Sequence, residues 1–266
     1  MPQKTDLNVT PYFDDFNQSD NFQSVLFRPG FAVQARELTT LQSIIKNQME
    51  REGRHLFKEG AMIVPGQLSF SKIVAIKLQN QIASEDVDTS QYVGAKITGV
   101  TSGVEAKVIT HSAATDTDPP TLFVQYTKTG TNNKTTKFEN NENIKADKGI
   151  THTTVYSTDA ETATTATTGA HDVGTIANIQ SGIYFVRGSF VECAEEDLII
   201  TKYDAFPDKR IGFNITETLV TPESDSTLLD NSTGSSNFAA KGAHRLKISL
   251  SLTSLDNSST ADDDFI

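Results

Sequence analysis

The clearest repeating pattern of apolar residues lies within residues 27–66. Its large apolar side chains follow one another at intervals of three, four or seven positions, which places them on one face of a helix. They are Leu38, Leu41, Ile45, Met49 and Leu56. The pattern predicts one long amphipathic helix, which ends at Gly53 or continues through it and stops before Gly60.

Periodicity leaves two roles open for this helix. In the first, the apolar face packs on the β-rich remainder of the same chain, as most amphipathic helices do. In the second, copies of the helix meet around an axis, and Gln48 fixes their register as a buried polar residue. The seam would run through Gln34, Leu38, Leu41, Ile45, Gln48 and Glu52. The candidate self-association residues are Leu38, Leu41, Ile45, Gln48 and Met49.

Residues 1–26 precede the helix and show neither a helical nor a strand period. We interpret them as an extended docking arm, because scattered aromatic side chains provide large contact areas in grooves of another subunit. The candidate docking residues are Tyr12, Phe13, Phe16 and Phe22. Asp14 and Asp15 are adjacent and would point apart on an extended chain, so we expect them to be solvated or to pair with a partner.

Residues 61–64 and 70–78 have the composition of two strands separated by a Pro65-Gly66 turn, and the second of them alternates apolar and polar side chains. This pattern predicts a β-hairpin that carries the apolar face of the helix. Residues 79–91 are polar and acidic, which is typical of a linker. Residues 27–83 are therefore expected to form a helix followed by a hairpin.

From residue 92 the chain reads as short strands with turn signals every eight to twelve residues, which is typical of a small sandwich or barrel. The predicted strands are residues 95–100, 104–110, 121–130, 135–139 and 142–146. Phe123, Tyr126 and Phe138 fall inside strand patterns and are expected in the core, although a sugar site remains the alternative. Residues 151–174 are rich in threonine and predict a linker or loop. Residues 84–177 would thus form an inserted β-module.

The last part, residues 178–266, predicts further strands. Residues 183–193 form a hairpin with a turn at Gly188-Ser189, and residues 198–203 and 210–220 follow as strands. Residues 245–255 alternate almost perfectly, as expected of a strand with one buried face. The fold class is therefore mainly β with one long N-terminal helix (α+β): a β-sandwich-like platform with an inserted small β-domain. An acidic stretch follows the final strand, and we expect the natural chain to continue beyond Ile266.

Composition narrows the possible functions. The chain has 266 residues and a net charge of −11, with 23 basic against 34 acidic residues, whereas nucleic-acid binding needs a basic footprint. It contains neither an apolar run of membrane-spanning length nor an N-terminal apolar signal core, so we expect no membrane insertion. Cys193 is the one cysteine, which excludes an internal disulfide and favours a buried thiol over a nucleophile.

Motifs for chemistry are absent from the sequence. Neither a metalloprotease helix, a phosphate-binding loop, a nucleophile elbow nor a dinucleotide fingerprint occurs, and the five histidines lie far apart. Asp116 and Asp118 precede two prolines and fit a turn better than a calcium loop. His152 would supply three metal ligands only if it lay on a threefold axis. We expect no catalytic residue, cofactor or resident metal.

Two long blocks of the sequence resemble a known family. The first contains PYFDDF, then FRPGFAVQARELTTLQSIIKNQMEREG and FKEGAMIVPG, and covers residues 11–76. The second begins at GIYFVRGSFVECAEEDLIITKYDAFPDKRIGFNITETLV and covers residues 182–252. Both resemble the N-terminal region of virion structural proteins of contractile-tailed phages, especially those of cyanobacteria. There the region is an uncharacterised domain at the head of baseplate or tail-fibre chains.

The resemblance implies a non-enzymatic structural subunit of a phage tail, which anchors a tail fibre or fibre-like protein to the baseplate. It implies a homotrimer within the virion, made in the cytoplasm of the host bacterium, with baseplate or other tail proteins as partners. A host-surface glycan receptor-binding module is the alternative, and it predicts exposed aromatic residues in the middle third. A polysaccharide-cleaving enzyme would need a carboxylate pair that the sequence does not single out.

Overall fold

A computed structural model describes residues 3–266. Strands take up 39% of the chain and helix 12%, which confirms the predicted mainly β, α+β fold class. Among these residues the single α-helix is α1 (Ala35–Leu56). Short 3-10 turns occur at Gln18–Asp20, Thr89–Tyr92 and Ser226–Leu228.

The strands are β1 (Met62–Val64), β2 (Leu68–Lys77), β3 (Gln81–Ile82), β4 (Glu85–Asp86), β5 (Lys96–Gly99), β6 (Glu105–Ser112), β7 (Thr121–Lys128), β8 (Asn143–Ala146), β9 (Ile150–Thr151), β10 (Val155–Tyr156), β11 (Glu161–Thr164), β12 (His171–Ile179), β13 (Gly182–Val186), β14 (Ser189–Cys193), β15 (Glu196–Thr201), β16 (Lys209–Val220) and β17 (Arg245–Asp256).

The chain folds into two compact units. Unit 1 contains the described residues up to Leu68, together with Asn178–Asp197 and Lys209–Ile266. Unit 2 contains Ser69–Ala177 and Leu198–Asp208. The sequence placed the start of the middle module at residue 84, whereas unit 2 begins at Ser69, because β2 pairs with β7 and so belongs to the sheet of unit 2.

The hairpin predicted for residues 61–78 is wrong. β1 pairs with β13, whereas β2 pairs with β7, so the two strands belong to different sheets. The apolar run of residues 61–64 and the alternation of residues 70–78 identified the two strands correctly but carried no information on their partners. The Pro65-Gly66 turn therefore separates two sheets rather than closing a hairpin.

Unit 2 is built on a sheet with the strand order β11-β8-β5-β6-β7-β2-β12-β15. Its fully buried aromatic and aliphatic side chains form two core clusters. The largest include Tyr92, Phe123, Phe138, Ile76, Leu122 and Ile144. Phe123 and Phe138 are thus core residues, as predicted. The partly buried Tyr126 packs against the cluster that contains Phe138, whereas Phe123 lies in a second cluster with Ile73, Ala75 and Ile176.

Two local predictions in unit 2 are wrong. Residues 135–139 form no strand; their loop is held by the buried Glu142 carboxylate, which accepts hydrogen bonds from the backbone N–H groups of Thr101 and Glu139, both at 2.8 Å. The threonine-rich stretch is not a linker, because β11 lies within it and pairs with β8. Thr162 and Thr165 are fully buried, which shows that threonine serves here as a β-branched strand residue.

Unit 1 combines α1 with a three-stranded sheet, ordered β1-β13-β14, and a long two-stranded ribbon of β16 and β17. The hairpin of β13 and β14 is confirmed, but its turn is Arg187-Gly188, one residue earlier than predicted. Both turn residues have positive φ, at 49° and 73°, which is the two-residue turn that matches strand twist. The predicted alternation of residues 245–255 is confirmed as β17, which pairs with β16 along its whole length.

Candidate interaction surface on the long helix

Helix α1 continues through Gly53 to Leu56, the longer of the two predicted alternatives. At its start the backbone N–H of Gln34 donates to the Glu37 carboxylate at 3.0 Å, which satisfies one free group at the helix terminus. At its end the N–H of Phe57 donates to the carbonyl of Gly53 at 2.7 Å. Both ends of the helix are therefore capped by hydrogen bonds within its own chain.

The orientation of α1 is the opposite of an ordinary amphipathic helix. Its buried residues are Ser43, Ile44, Asn47, Glu50 and Gly53, four of which are polar or lack a side chain. Its exposed apolar residues are Leu38, Ile45, Met49 and Leu56, whose exposed fractions are 50%, 53%, 58% and 68%. These four are spaced by seven, four and seven positions and form one stripe, which we call the apolar stripe. The expectation that a hairpin of the same chain covers this face is wrong.

The other predicted self-association residues lie beside the apolar stripe. Leu41 is half-buried and Gln48 is exposed. The side-chain amide of Gln48 donates to the side-chain carbonyl of Gln23 at 3.1 Å. All five predicted residues of the helix seam are thus at least partly accessible in a single chain.

The buried face of α1 is covered partly by the N-terminal arm. Asp14 is buried, and its carboxylate accepts hydrogen bonds from Ser43 Oγ at 2.5 Å and Thr40 Oγ1 at 3.2 Å. Asp15 pairs with Arg36 at 3.3 Å. The expectation that both carboxylates are solvated or pair with a partner is wrong for Asp14, because serine and threonine hydroxyls of α1 solvate it within the chain.

The four predicted docking residues divide into two groups. The Tyr12 hydroxyl lies 2.5 Å from His244 Nδ1 in unit 1, and Phe16 is half-buried. Phe13 and Phe22 are exposed by 53% and 65%. Tyr12 therefore fastens the arm to its own unit, whereas Phe13 and Phe22 are accessible to a partner.

Exposed apolar residues continue between the arm and the helix, a feature that the sequence analysis missed. They follow the predicted Phe22 and are Leu26, Phe27, Phe31 and Val33, with Leu26 exposed by 83%. The signal was present in the sequence, since these side chains follow neither a strand nor a helix period that would bury them. Monomeric proteins seldom expose apolar residues so densely, and such clusters mark interaction sites.

A buried charge cluster ties distant parts of unit 1 together. Arg187 Nη1 donates to Glu217 Oε1 at 2.6 Å, Nη2 pairs with Asp264, and the Arg187 N–H donates to Glu59 Oε1 at 2.5 Å. The side chains of Arg187 and Glu217 are exposed by only 7% and 5%. Glu217 also accepts hydrogen bonds from the backbone N–H groups of Thr5 and Lys4. Sequence reasoning missed this cluster because its members are far apart along the chain.

We expect unit 1 to lose stability at low pH because of the Glu217 carboxyl. Burial would raise its pKa, but hydrogen bonds from Thr5, Lys4 and Arg187 outweigh burial and lower it. A lowered pKa in the folded state adds stability above the pKa of the unfolded chain, near 4.3 for glutamate, and this stability is lost as the pH falls below that value. We expect urea unfolding of unit 1 to shift to lower urea concentration as the pH falls from about 7 to about 3. In Glu217→Gln the shift should be smaller, and an unchanged shift would contradict the assignment.

Gly53 allows α1 to lie against β13. A Cβ atom at this position would lie 2.6 Å from Cε2 of Phe185, whose ring is fully enclosed. Gly53→Ala gains about 1 kcal/mol of helix propensity but forces a clash that costs about 1–3 kcal/mol. We expect net destabilisation, measured as a lower urea midpoint, whereas Gln42→Ala on the exposed side should be neutral. A stabilised Gly53→Ala chain would show that Phe185 moves freely.

Comparison with known proteins shows the family of this sequence. A family model described as "Domain of unknown function (DUF4815)" matches residues 10–104 and 124–263. The chain belongs to this family. The DUF4815 match includes all of α1 and β14, together with Arg187 and Glu217 of the charge cluster. No curated protein and no solved structure matches the chain.

The residues considered for chemistry have structural roles in this DUF4815 chain. His152 Nε2 lies 2.8 Å from the Thr162 carbonyl, and Nδ1 accepts from the Asp88 N–H at 3.1 Å, so neither ring nitrogen is free to bind a metal on an axis. Burial raises the pKa of the Cys193 thiol, which disfavours a nucleophilic thiolate. Asp118 forms an ion pair with Lys202 at 2.9 Å.

Two further features are absent from the described part of the DUF4815 chain. Residues 3–266 contain no cluster of three or more histidine, cysteine or acidic side chains that could hold a metal. Among the same residues, no helix is long and apolar enough to cross a membrane.

Proposed function

We propose that the chain is a non-enzymatic structural subunit of a contractile phage tail, whose N-terminal region anchors a tail fibre or fibre-like protein to the baseplate. The observation that carries this proposal is the apolar stripe of α1, because a helix that buries serine, asparagine and glutamate while exposing leucine, isoleucine and methionine is suited to packing against another chain. The resemblance of residues 11–76 and 182–252 to tail proteins supplies the identity of the assembly.

The stripe favours association of identical copies, which we take to be a homotrimer. Leu38, Ile45 and Met49 would meet their counterparts around the axis, with Gln48 beside them to fix register. Each large apolar side chain that becomes buried contributes about 1.5–3 kcal/mol before the cost of association. Apart from the buried Glu50 and from Glu52 in the predicted seam, the charges of α1 lie outside this face and would remain in water.

The N-terminal arm would supply the contact to a neighbouring baseplate protein. Lys4 and Thr5 bind Glu217, Tyr12 binds His244, and Asp14 accepts hydrogen bonds from Ser43 and Thr40 of α1, so the arm is fixed on unit 1 at three places. Between and beyond these points Phe13 and Phe22 are exposed, and aromatic anchors of this kind dominate many interfaces. In this proposal Tyr12 and Phe16 hold the arm, and Phe13 and Phe22 dock.

The glycan-binding alternative predicts exposed aromatic residues in the middle third. The aromatic rings of residues 84–177 are Tyr92, Phe123, Tyr126, Phe138 and Tyr156, and each is buried or half-buried. The structure therefore offers no observation that favours a stacking platform for a sugar there.

Light scattering of the 266-residue chain at several concentrations tests self-association. A mass near three times the 29.0 kDa chain is the expected result. A mass that stays at one chain at every concentration would overturn the homotrimer.

Immunogold electron microscopy of the virion, with an antibody against this chain, tests the location. Label at the tail end of the particle is expected. Label confined to the capsid, or absent from the virion, would overturn the assignment to the tail.

A further inference from the structure

Strand β14 has an unpaired edge. It is the terminal strand of the order β1-β13-β14. Val186 and Ser189 flank a two-residue turn and form a hydrogen-bonded pair, so the N–H and C=O groups of Phe190 and Glu192 point to the free edge. The hydrogen bonds of β13 agree with this alternation. Phe185, the partner of Phe190, bonds away from β14, to the Ala61 carbonyl at 2.9 Å and the Gly60 N–H at 2.8 Å.

A cavity of about 420 Å³ runs along this edge within unit 1. One wall is formed by the consecutive residues 187–192, and the opposite wall by Leu246 and Ile248 of β17. Lys46 and Glu50 of α1 and Gln3 of the arm also line it. Elsewhere β14 lies against β17, so the cavity is a gap beside the edge of β14, with apolar side chains of β17 on its far wall.

Residues 22–27, with the sequence FQSVLF, have the complementary properties. They form neither helix nor strand, and within residues 3–266 their backbone groups make no hydrogen bond. Phe22, Leu26 and Phe27 are exposed. Phe22, Ser24 and Leu26 would face one side of an added strand and Gln23, Val25 and Phe27 the other.

We propose that residues 22–27 of a second copy of this chain add as a strand to the free edge of β14. The incoming backbone would pair with Phe190 and Glu192, and its apolar side chains would enter the space beside Leu246 and Ile248, as in strand addition to an open sheet edge. This inference rests on the proposed self-association and names a second contact between the copies. It assigns Phe22 to that contact and leaves Phe13 for the baseplate protein.

The geometry of α1 shows why the occupant comes from another copy. Within one chain, Gln23 lies against Gln48 at 3.1 Å, whereas Lys46 and Glu50 line the cavity. Residues two positions apart on a helix point about 200° away from each other, so the segment of the same chain lies on the opposite side of α1. It would have to leave its contact with Gln48 and cross the helix to reach the cavity.

The charges that line the cavity and those that flank residues 22–27 are complementary. Lys46 and Glu192 line the cavity, and no ion pair within residues 3–266 involves either of them. Asp20 and Arg28 flank the segment, and neither forms an ion pair within residues 3–266. A strand that brings one acid and one base to the two ends of the cavity would therefore find a partner for each charge.

Cysteine cross-linking between differently tagged copies of the full chain tests the contact. In a Cys193→Ala background, one copy carries Glu192→Cys, and the other carries Gln23→Cys, Ser24→Cys or Val25→Cys. Paired strands bring facing side chains within disulfide range only at every second position. We expect a mixed covalent dimer either at Ser24 alone or at Gln23 and Val25, and none when either cysteine is omitted. Equal cross-linking at all three positions, or at none, would overturn the strand contact.

A proline substitution gives a second readout. Glu192→Pro removes an N–H group that points away from β13, so the hairpin keeps its own hydrogen bonds. We expect the fold to persist and self-association to weaken about tenfold or more. The wild-type chain could form an oligomer that Glu192→Pro does not weaken and that shows no alternating pattern of cross-links. In that case the strand contact is wrong while the proposed self-association stands. A chain that remains at 29.0 kDa without cross-linking overturns both.

Discussion

Replacing Glu217 with alanine is expected to destabilise unit 1 by roughly 3–5 kcal/mol. The substitution leaves the guanidinium of Arg187, whose side chain is exposed by 7%, without its closest buried counter-charge. It also removes the acceptor for the N–H groups of Thr5 and Lys4. Because these bonds hold the start of the arm, its docking onto unit 1 should be lost before the rest of the unit unfolds.

Hydrogen exchange with peptide resolution is the appropriate measurement, because it separates unit 1 from unit 2. Faster exchange should appear in β13, β14 and β16, and exchange in β5 to β8 should remain unchanged. The matched control is Glu223→Ala. The hydrogen bond from Lys241 lowers the pKa of Glu223 to about 2, yet both side chains of this pair are largely exposed, so solvent screens it and we expect little change. Equal effects of the two substitutions would contradict a special role of the buried cluster.

A double substitution separates the cost of an unpaired charge from the value of the pair. Arg187→Met with Glu217→Leu replaces both partners by apolar side chains of similar size, which is often neutral or stabilising when a buried pair is exchanged completely. We expect the double variant to recover part of the stability that Glu217→Ala loses. A double variant less stable than the single one would show that the charges hold the fold through Asp264 and Glu59 as well.

The sequence predicted those features that depend on local periodicity. The fold class, the long helix, the hairpin of β13 and β14 and the alternation of β17 all follow from repeated patterns of apolar residues. The partner of β2 could not be predicted in this way, because alternation of side chains identifies a strand but not the strand it pairs with. The strand at residues 161–164 was missed for another reason: threonine-rich composition suggested a linker, while fully buried Thr162 and Thr165 use the β-branched shape of the same residue.

The candidate surface was predicted in part. Residues Leu38 to Met49 were selected for their spacing, but spacing cannot tell which face of a helix its own chain covers. That choice depends on Asp14, whose carboxylate accepts hydrogen bonds from the Ser43 and Thr40 hydroxyls. These bonds hold the polar face of α1 against its own chain. Lack of a side chain at Gly53 then allows Phe185 to pack close. Neither contact leaves a repeating pattern in the sequence.

Adjacent residues of α1 should respond in opposite ways to the same change. Ile44 is exposed by 3% and Ile45 by 53%. Ile44→Asp buries an unpaired carboxylate and should unfold unit 1. Ile45→Asp combined with Met49→Asp leaves the core untouched and places two charges in the proposed seam. The folded double variant should therefore associate about a hundredfold more weakly, since two buried apolar contacts worth about 3 kcal/mol are lost.

Circular dichroism and light scattering on the same samples separate these outcomes. The Ile45→Asp, Met49→Asp chain should keep its thermal unfolding midpoint at low concentration, where the wild-type chain is also dissociated, and should show the mass of a single chain at concentrations where the wild type is an oligomer. If it unfolds as Ile44→Asp does, the apolar stripe supports the fold of its own chain. If it remains an oligomer of unchanged mass, the copies meet elsewhere, and the stripe is left for a different protein of the assembly.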